Sequence, residues 1–285
     1  MAFEQERWSL PARWSRRIAG FAAVLLAVSA LFHRFGFIET VPLFWLVGIV
    51  GALALLALGL AYLGFADIWQ NACRGVSDTV LGALLAILVL LPYLFGLYQF
   101  FAHPALNDIS TDWADPPSLA AARTLRDATM NPVAVAAPED IAVQESWYPA
   151  ITGRRYEMTA DRVATIALGL VEAKGWSILR PVGPNATALV SPAVTIEAVA
   201  HSPILALASD VAIRVTDEEI TSYVDMRSAS RYGLHDLGDN ARRIAAFLSD
   251  LDAEVAAQAG LTPPEPVDPE SSEQIPIPEP APTGD

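Results

Sequence analysis

Cysteine is almost missing from this 285-residue chain: Cys73 stands alone. That excludes an intramolecular disulfide and any cysteine-built metal centre. Lysine is as scarce, one residue (Lys174) against 17 arginines. Together with abundant alanine, this points to GC-rich coding and a bacterial source. The histidines, at positions 33, 103, 201 and 235, are scattered and never fall at metal-ligand spacing. Also missing are a Gly-x-Ser-x-Gly elbow, a His-Glu-x-x-His helix, a phosphate-cradling glycine loop and a Ser-x-x-Lys pair. No catalytic residue, metal ligand or cofactor motif is assigned, and the balance leans away from an enzyme.

Charge is missing from three long stretches, Ile18–Phe32, Val41–Ala66 and Thr79–Ala102. A bilayer core takes roughly 20 apolar residues per helix. The second and third runs exceed that alone, and the first reaches it when Phe35–Ile38 are counted past His33 and Arg34. Residues 18–102 are therefore expected to form a membrane anchor of three α-helices behind a short N-terminal segment, 1–17. Transporters keep ionisable groups inside the membrane because a charge there is costly, and these runs hold none. Pro92 predicts a kink in the third helix, and Gly48 with Ala52 predicts a small-residue helix contact. Trp8, Trp14, Phe44, Trp45, Trp69, Tyr98, Phe100 and Phe101 fall near span ends, as an interfacial aromatic belt would.

Arginines in the short flanks set orientation. Arg7, Arg13, Arg16 and Arg17 precede the first run and Arg74 lies between the second and third, whereas the first loop has only Arg34. This predicts a cytoplasmic N-terminus and a C-terminal domain across the membrane, in the periplasm of a bacterial inner-membrane protein. A cleavable signal peptide ending near Val28-Ser29-Ala30 is the competing reading. It would leave the C-terminal domain on the same side.

Residues 103–261 are the size of a single soluble domain. Through residue 102 the chain carries six arginines against five acidic residues; after it, 12 basic residues meet 27 acidic ones. A domain so negative repels phosphate backbones, which argues against nucleic acid as a partner. The Asp108-x-Ser110-x-Asp112 spacing begins like a calcium loop, but Trp113 and Leu119 stand where an EF-hand needs Gly and Glu. Asx turns and caps are the simpler use.

Two helices are signalled. Thr159 can cap the first, Val163, Ile166, Ala167, Leu170 and Val171 give its apolar stripe, and Gly175 ends it. Asp236 can cap the second, in which Leu237, Ala241, Ile244, Leu248, Leu251 and Val255 recur every three or four residues. Ser118–Thr129 is a weaker third. Between the two strong helices the period falls to two, giving strands at Trp176–Val182, Val194–Ala200, Val211–Val215 and Ile220–Met226. Short turns imply an antiparallel sheet. The expected fold is an α+β domain, a sheet of about four strands packed with two or three helices. One sheet face would be apolar; the other would carry Glu197, Arg214, Tyr223, Asp225 and Arg227. From residue 262 to 285, eight prolines and six acidic residues in 24 positions predict a disordered tail.

The densest polar stretch runs from Asp225 to Arg243. Arg227, Ser228, Ser230, Arg231, Asp236, Asn240, Arg242 and Arg243 would converge where the last strand meets the last helix, within reach of Asp108 and Asp112. Guanidinium groups, hydroxyls and a helix N-terminus are how a protein binds a carboxylate or phosphate. The same groups also serve structure, with Asp236 capping the helix and Arg227 and Arg231 paired with acids such as Asp108 or Asp112.

This stretch, Arg227-Ser228-Ala229-Ser230-Arg231-x-Gly233-x-x-Asp236-x-Gly238-x-Asn240-x-Arg242-Arg243-Ile244, follows Asn107-Asp108-Ile109-Ser110-Thr111-Asp112 and Asp210-Val211-Ala212-Ile213-Arg214-Val215. Together they resemble the domain-of-unknown-function family 1499 over residues 105–255, with departures at Ala229, at Asp239 and in a longer Gly183–Pro192 stretch. The resemblance implies domain limits, and N-terminal spans of the kind seen in proteobacterial members; it implies no activity. The expected partners are the lipid bilayer and either envelope proteins or an anionic small ligand. An enzyme acting on an envelope lipid or anionic small molecule through residues 227–243 is the alternative.

Overall fold

The structure is a computed structural model that describes residues 7–179 and 193–260. The proline-rich tail, the Gly183–Pro192 stretch and the end of the strand expected at Trp176–Val182 lie outside the described residues.

Three helices, α1 (Leu10–Arg34), α2 (Thr40–Asn71) and α3 (Val76–Ala102), are long and apolar enough to cross a membrane. The first gains its length in the opposite direction from the one expected. It opens at Leu10-Pro11, where proline's missing N–H costs nothing, and closes at Phe35, so Phe35–Ile38 lies beyond it. Small residues make the contacts: Ala12, Ser15, Ala19 and Ala22 of α1, Gly51, Ala54, Ala57, Ala61 and Gly64 of α2, and Gly82 and Ala86 of α3 are buried. Gly48 and Ala52, the expected contact pair, are exposed on the outer surface instead. A Cβ on Gly64 would come within 2.8 Å of the Ala12 nitrogen, and one on Gly82 would clash with Ser15 Oγ. The Ser15 hydroxyl donates to the Ala57 carbonyl at 2.8 Å, which satisfies it inside the bundle.

The α+β domain is built on a six-stranded antiparallel sheet ordered β1-β6-β5-β4-β3, with β2 also on β6. The strands are β1 (Asp108–Ser110), β2 (Arg154–Tyr156), β3 (Ser177–Ile178), β4 (Ala193–His201), β5 (Ala208–Glu218) and β6 (Thr221–Ser230). This is two more than the period showed. β1 and β2 have three residues each, too few to display alternation, and they share the free edge of β6 at its two ends. Ile220, expected to open the last strand, is in the preceding turn and 83% exposed, beside Glu219 at φ +72°.

Helices α6 (Ala160–Ala173) and α7 (Asp239–Gln258) cover one sheet face. Val163, Val171, Ile244, Phe247 and Leu251 pack there on Ile196, Ile213, Val224 and Met226 to form the main core. Thr159 stands at the start of α6, but its hydroxyl makes no capping bond; its carbonyl accepts from Arg162 and Val163. The opposite, polar face is covered as well, by the chain between β1 and α5 (Pro138–Trp147), including the short α4 (Ala120–Leu125). Leu119 and Ala122 pack on Ala212 and Ala229 there. The weak helix expected at Ser118–Thr129 is thus half that length. The unexpected α5 has little amphipathic pattern, and Pro138 with Glu139 and Asp140 was its only signal.

The domain rests on the ends of the bundle nearest the α1–α2 loop. His33 Nδ1 donates to the Leu205 carbonyl at 2.6 Å, and Arg34 donates to the Pro203 carbonyl at 2.9 Å. Phe44 meets Tyr232 edge-on at 6.2 Å. The arginine-rich ends of the bundle, at Arg13–Arg17 and Arg74, face away.

Candidate functional site

Alternation along β6 separates what the sequence places side by side. Successive side chains of a strand point to opposite faces. Arg227 therefore lies on the polar face with Asp108, whereas Ser228 and Ser230 lie on the face covered by α7. The candidate residues form two groups with the sheet between them.

On the polar face Arg227 is clamped by Asp108, Nε to Oδ1 at 3.0 Å and Nη2 to Oδ2 at 2.7 Å, and also donates to the Ala134 carbonyl. This parallel two-bond geometry is the strongest an arginine makes with a carboxylate. Arg231, expected from the sequence to pair with an acid such as Asp108 or Asp112, pairs with neither. Its acid is Asp210 on β5, whose Oδ1 accepts from Nε at 3.0 Å and Nη2 at 2.7 Å. The other oxygen of Asp210 accepts from Arg126 at 2.8 Å, and Arg126 also donates to the carbonyls of Asn131 and Ala229. Asp210 is fully buried, so one carboxylate holds two guanidinium groups and ties the loop after α4 to the sheet. Asp112 instead caps its own turn, accepting from the N–H groups of Ala114 and Asp115. It approaches Arg214, which is held chiefly by Asp225 at 2.9 Å and Asp115 at 2.7 Å. Burial pushes the Asp225 carboxyl above the usual range, against the pull of Arg214.

On the helix face Ser228 donates to Asn240 Oδ1 at 2.8 Å, and Arg243 donates to the same two atoms at 3.0 and 2.7 Å. Arg243 also pairs with Asp239. The Asn240 amide donates to Ser230 Oγ and to the Asn107 carbonyl, both at 3.0 Å. Asn240 is fully buried with its donors and acceptor used. Asp236 caps α7 from two residues before the cap position, accepting from the N–H groups of Gly238 and Asn240 at 2.8 Å each. Burial raises its carboxyl above the usual range. Gly238 must be glycine: its φ is +75°, and a Cβ would lie 2.6 Å from the His103 ring.

His33, His103 and His235 each make hydrogen bonds at the seam between helices and domain. His235 Nε2 donates to the carbonyls of Phe100 and His103, while its Nδ1 accepts from the Leu237 N–H at 2.9 Å. These partners place a proton on Nε2. His103 Nδ1 bonds the Tyr148 hydroxyl at 3.1 Å, and burial holds that phenol at about 12. Their place at span ends was the available signal for His33 and His103; His235 had none. Among the described residues no cluster of histidine, cysteine or acidic side chains could hold a metal.

Fold and site together define a class: three helices of membrane-crossing length and hydropathy that carry an α+β domain whose polar groups are tied to one another. Within that class the chain belongs to the family described as Protein of unknown function (DUF1499), whose model matches residues 108–251. The match begins at β1 and ends within α7, so the family unit is the α+β domain. No curated protein and no solved structure matches the chain.

Proposed function

We propose that this is a bacterial inner-membrane protein whose domain lies in the periplasm and acts as a non-catalytic binding or structural module of the envelope. The observation that carries this reading is the state of the polar cluster. Arg227, Arg231 and Arg243 each face a carboxylate at hydrogen-bond distance and are mostly buried. A catalytic or anion-binding constellation needs free donors aimed at a common point, and these are spent on opposite faces of the sheet. The periplasmic side is supported by the arginine distribution: the domain sits at the arginine-poor end of the bundle.

Reporter fusions test the placement. A reporter active only in the periplasm should work when fused after residue 261 and stay silent in the loop around Arg74; the reverse pattern would refute it. Crosslinking from native membranes tests the module. Capture of an envelope protein through the exposed side of the domain is expected. Turnover of an envelope lipid by the purified chain, lost in Ser230→Ala, would instead establish the enzyme reading.

A further inference from the structure

Where the domain meets the bundle, the chain forms a half-open cavity of about 400 Å³. That is within the range of roughly 300–1,000 Å³ typical of small-ligand sites. Its lower wall is apolar and comes from all three helices, with Ala30, Val47, Phe95 and Gly96 among the contributors. Its upper wall is the β4–β5 turn, and its polar end holds Ser230, Asp239 and Arg242.

Three features point to one occupant. First, the apolar wall is continuous with the outer surface of the bundle: Phe95 lines the cavity and is 60% exposed, so the cavity opens towards the bilayer. Second, Arg242 is the one arginine of the candidate cluster that stays exposed. Its two contacts, to Asp239 and the Leu237 carbonyl, are both long at 3.4 Å, which leaves donors for an incoming phosphate. Third, the loops around the cavity carry apolar tips beside the helix ends, Ile204 at 70% and Leu234 at 81% exposed. Leu237, which lines the cavity, is held at φ +57°, a costly conformation for a branched side chain. Apolar tips grouped beside membrane-length helices are the kind of patch that marks a membrane contact.

We propose that this cavity binds one acyl chain of a phospholipid drawn from the adjacent leaflet, with the lipid phosphate on Arg242. The proposal rests on the membrane placement but not on which side of the membrane the domain lies. It gives the domain a lipid-binding role at the edge of the helix-face cluster, where Ser230 and Asp239 meet the bundle.

The test uses the full chain reconstituted in vesicles of phosphatidylethanolamine and phosphatidylglycerol, doped with diacylglycerol of the same chains. Flotation checks membrane insertion, and native mass spectrometry after release reads the bound lipid. The wild-type chain should float and retain one phospholipid in preference to diacylglycerol. Gly96→Phe and Ala30→Phe fill the cavity from different helices and should each lower retention several-fold while far-UV circular dichroism is unchanged. Nothing lies within 4 Å of a Cβ on Gly96, so that side chain can be accommodated. Arg242→Ala should lose the preference for phospholipid over diacylglycerol. A chain that does not float overturns the membrane placement and the proposal with it. One that floats but emerges bare, retains as much lipid in both filled variants, or prefers diacylglycerol overturns the lipid site alone.

Discussion

In the helical half of this protein, Gly64 lets α2 approach α1 so closely that a single added carbon would meet the Ala12 backbone. In the domain, Asp210 sits at 0% exposure with two arginines on its carboxylate. The first contact uses shape alone. Between helices in lipid there is no hydrophobic driving force, so close backbone approach and van der Waals contact hold them together. The second lies on a sheet whose other face already supplies an apolar core, and it buries charges only because each is saturated by partners. The two halves should therefore fail to different substitutions, the bundle to added volume and the polar face to a missing charge.

The largest effect is expected at Asp210. Asp210→Ala leaves Arg126 and Arg231 buried without their acid, and breaking a buried pair this way costs about 3–5 kcal/mol. The denaturant midpoint of the domain in the detergent-solubilised chain should fall accordingly, and Arg231→Ala should fall in the same direction by less, because Arg126 still covers Asp210. An Asp210→Ala midpoint equal to wild type would break the comparison and reopen Arg231 as a ligand-binding group. Next comes Gly64→Val. Overpacking of this kind costs about 1–3 kcal/mol, here in the bundle. Crosslinking yield between cysteines placed on α1 and α2 should drop while the domain transition stays put. A shift in the domain instead would show that the two halves unfold as one unit. Smaller again is Asp236→Ala, which removes the acceptor for two N–H groups at the start of α7 and should cost about 0.5–2 kcal/mol, read from the same domain transition.

The sequence made the large elements legible because each carries a long period: uncharged runs for α1 to α3, a heptad-like stripe for α6 and α7, alternation for β4 to β6. It could not show β1 and β2, which exist only because β6 has an edge to pair. For the site the limit was different. Asp225 to Arg243 was correctly marked as dense in polar groups, and Arg227 with Asp108 was a correct pair. Proximity along a strand was mistaken for proximity in space, since neighbours on β6 point to opposite faces. The acid for Arg231 lies 21 positions upstream on the adjacent strand, where Asp210 faces the same side only once the β5–β6 register is known. The helix–domain cavity had no signature at all, because its walls come from five separate segments.

The subtlest way to sharpen the contrast is to titrate Asp236 while leaving its shape alone. Burial raises the Asp236 carboxyl, the nearby Asp239 charge adds to this, and the N–H groups of Asn240 and Gly238 offset only part of it. The folded state therefore holds a proton more tightly than the unfolded chain, whose carboxyl titrates near 3.8. In the window between that value and the raised folded value, the native state binds more protons, so stability rises as pH falls. The contribution is fully present below the unfolded pKa and is lost as pH climbs through the folded one. Asp236→Asn keeps an acceptor oxygen but cannot titrate. Acids remote from Asp236 cancel in the difference between wild type and Asp236→Asn, which reports this carboxyl together with the Asp239 and His235 charges coupled to it. Measured by denaturant melts of the solubilised chain from neutral pH downward, wild type should gain on the variant as the solution is acidified. If wild type loses ground instead, the two N–H donors outweigh burial. Asp236 would then be held in its charged form by the N–H groups at the start of α7.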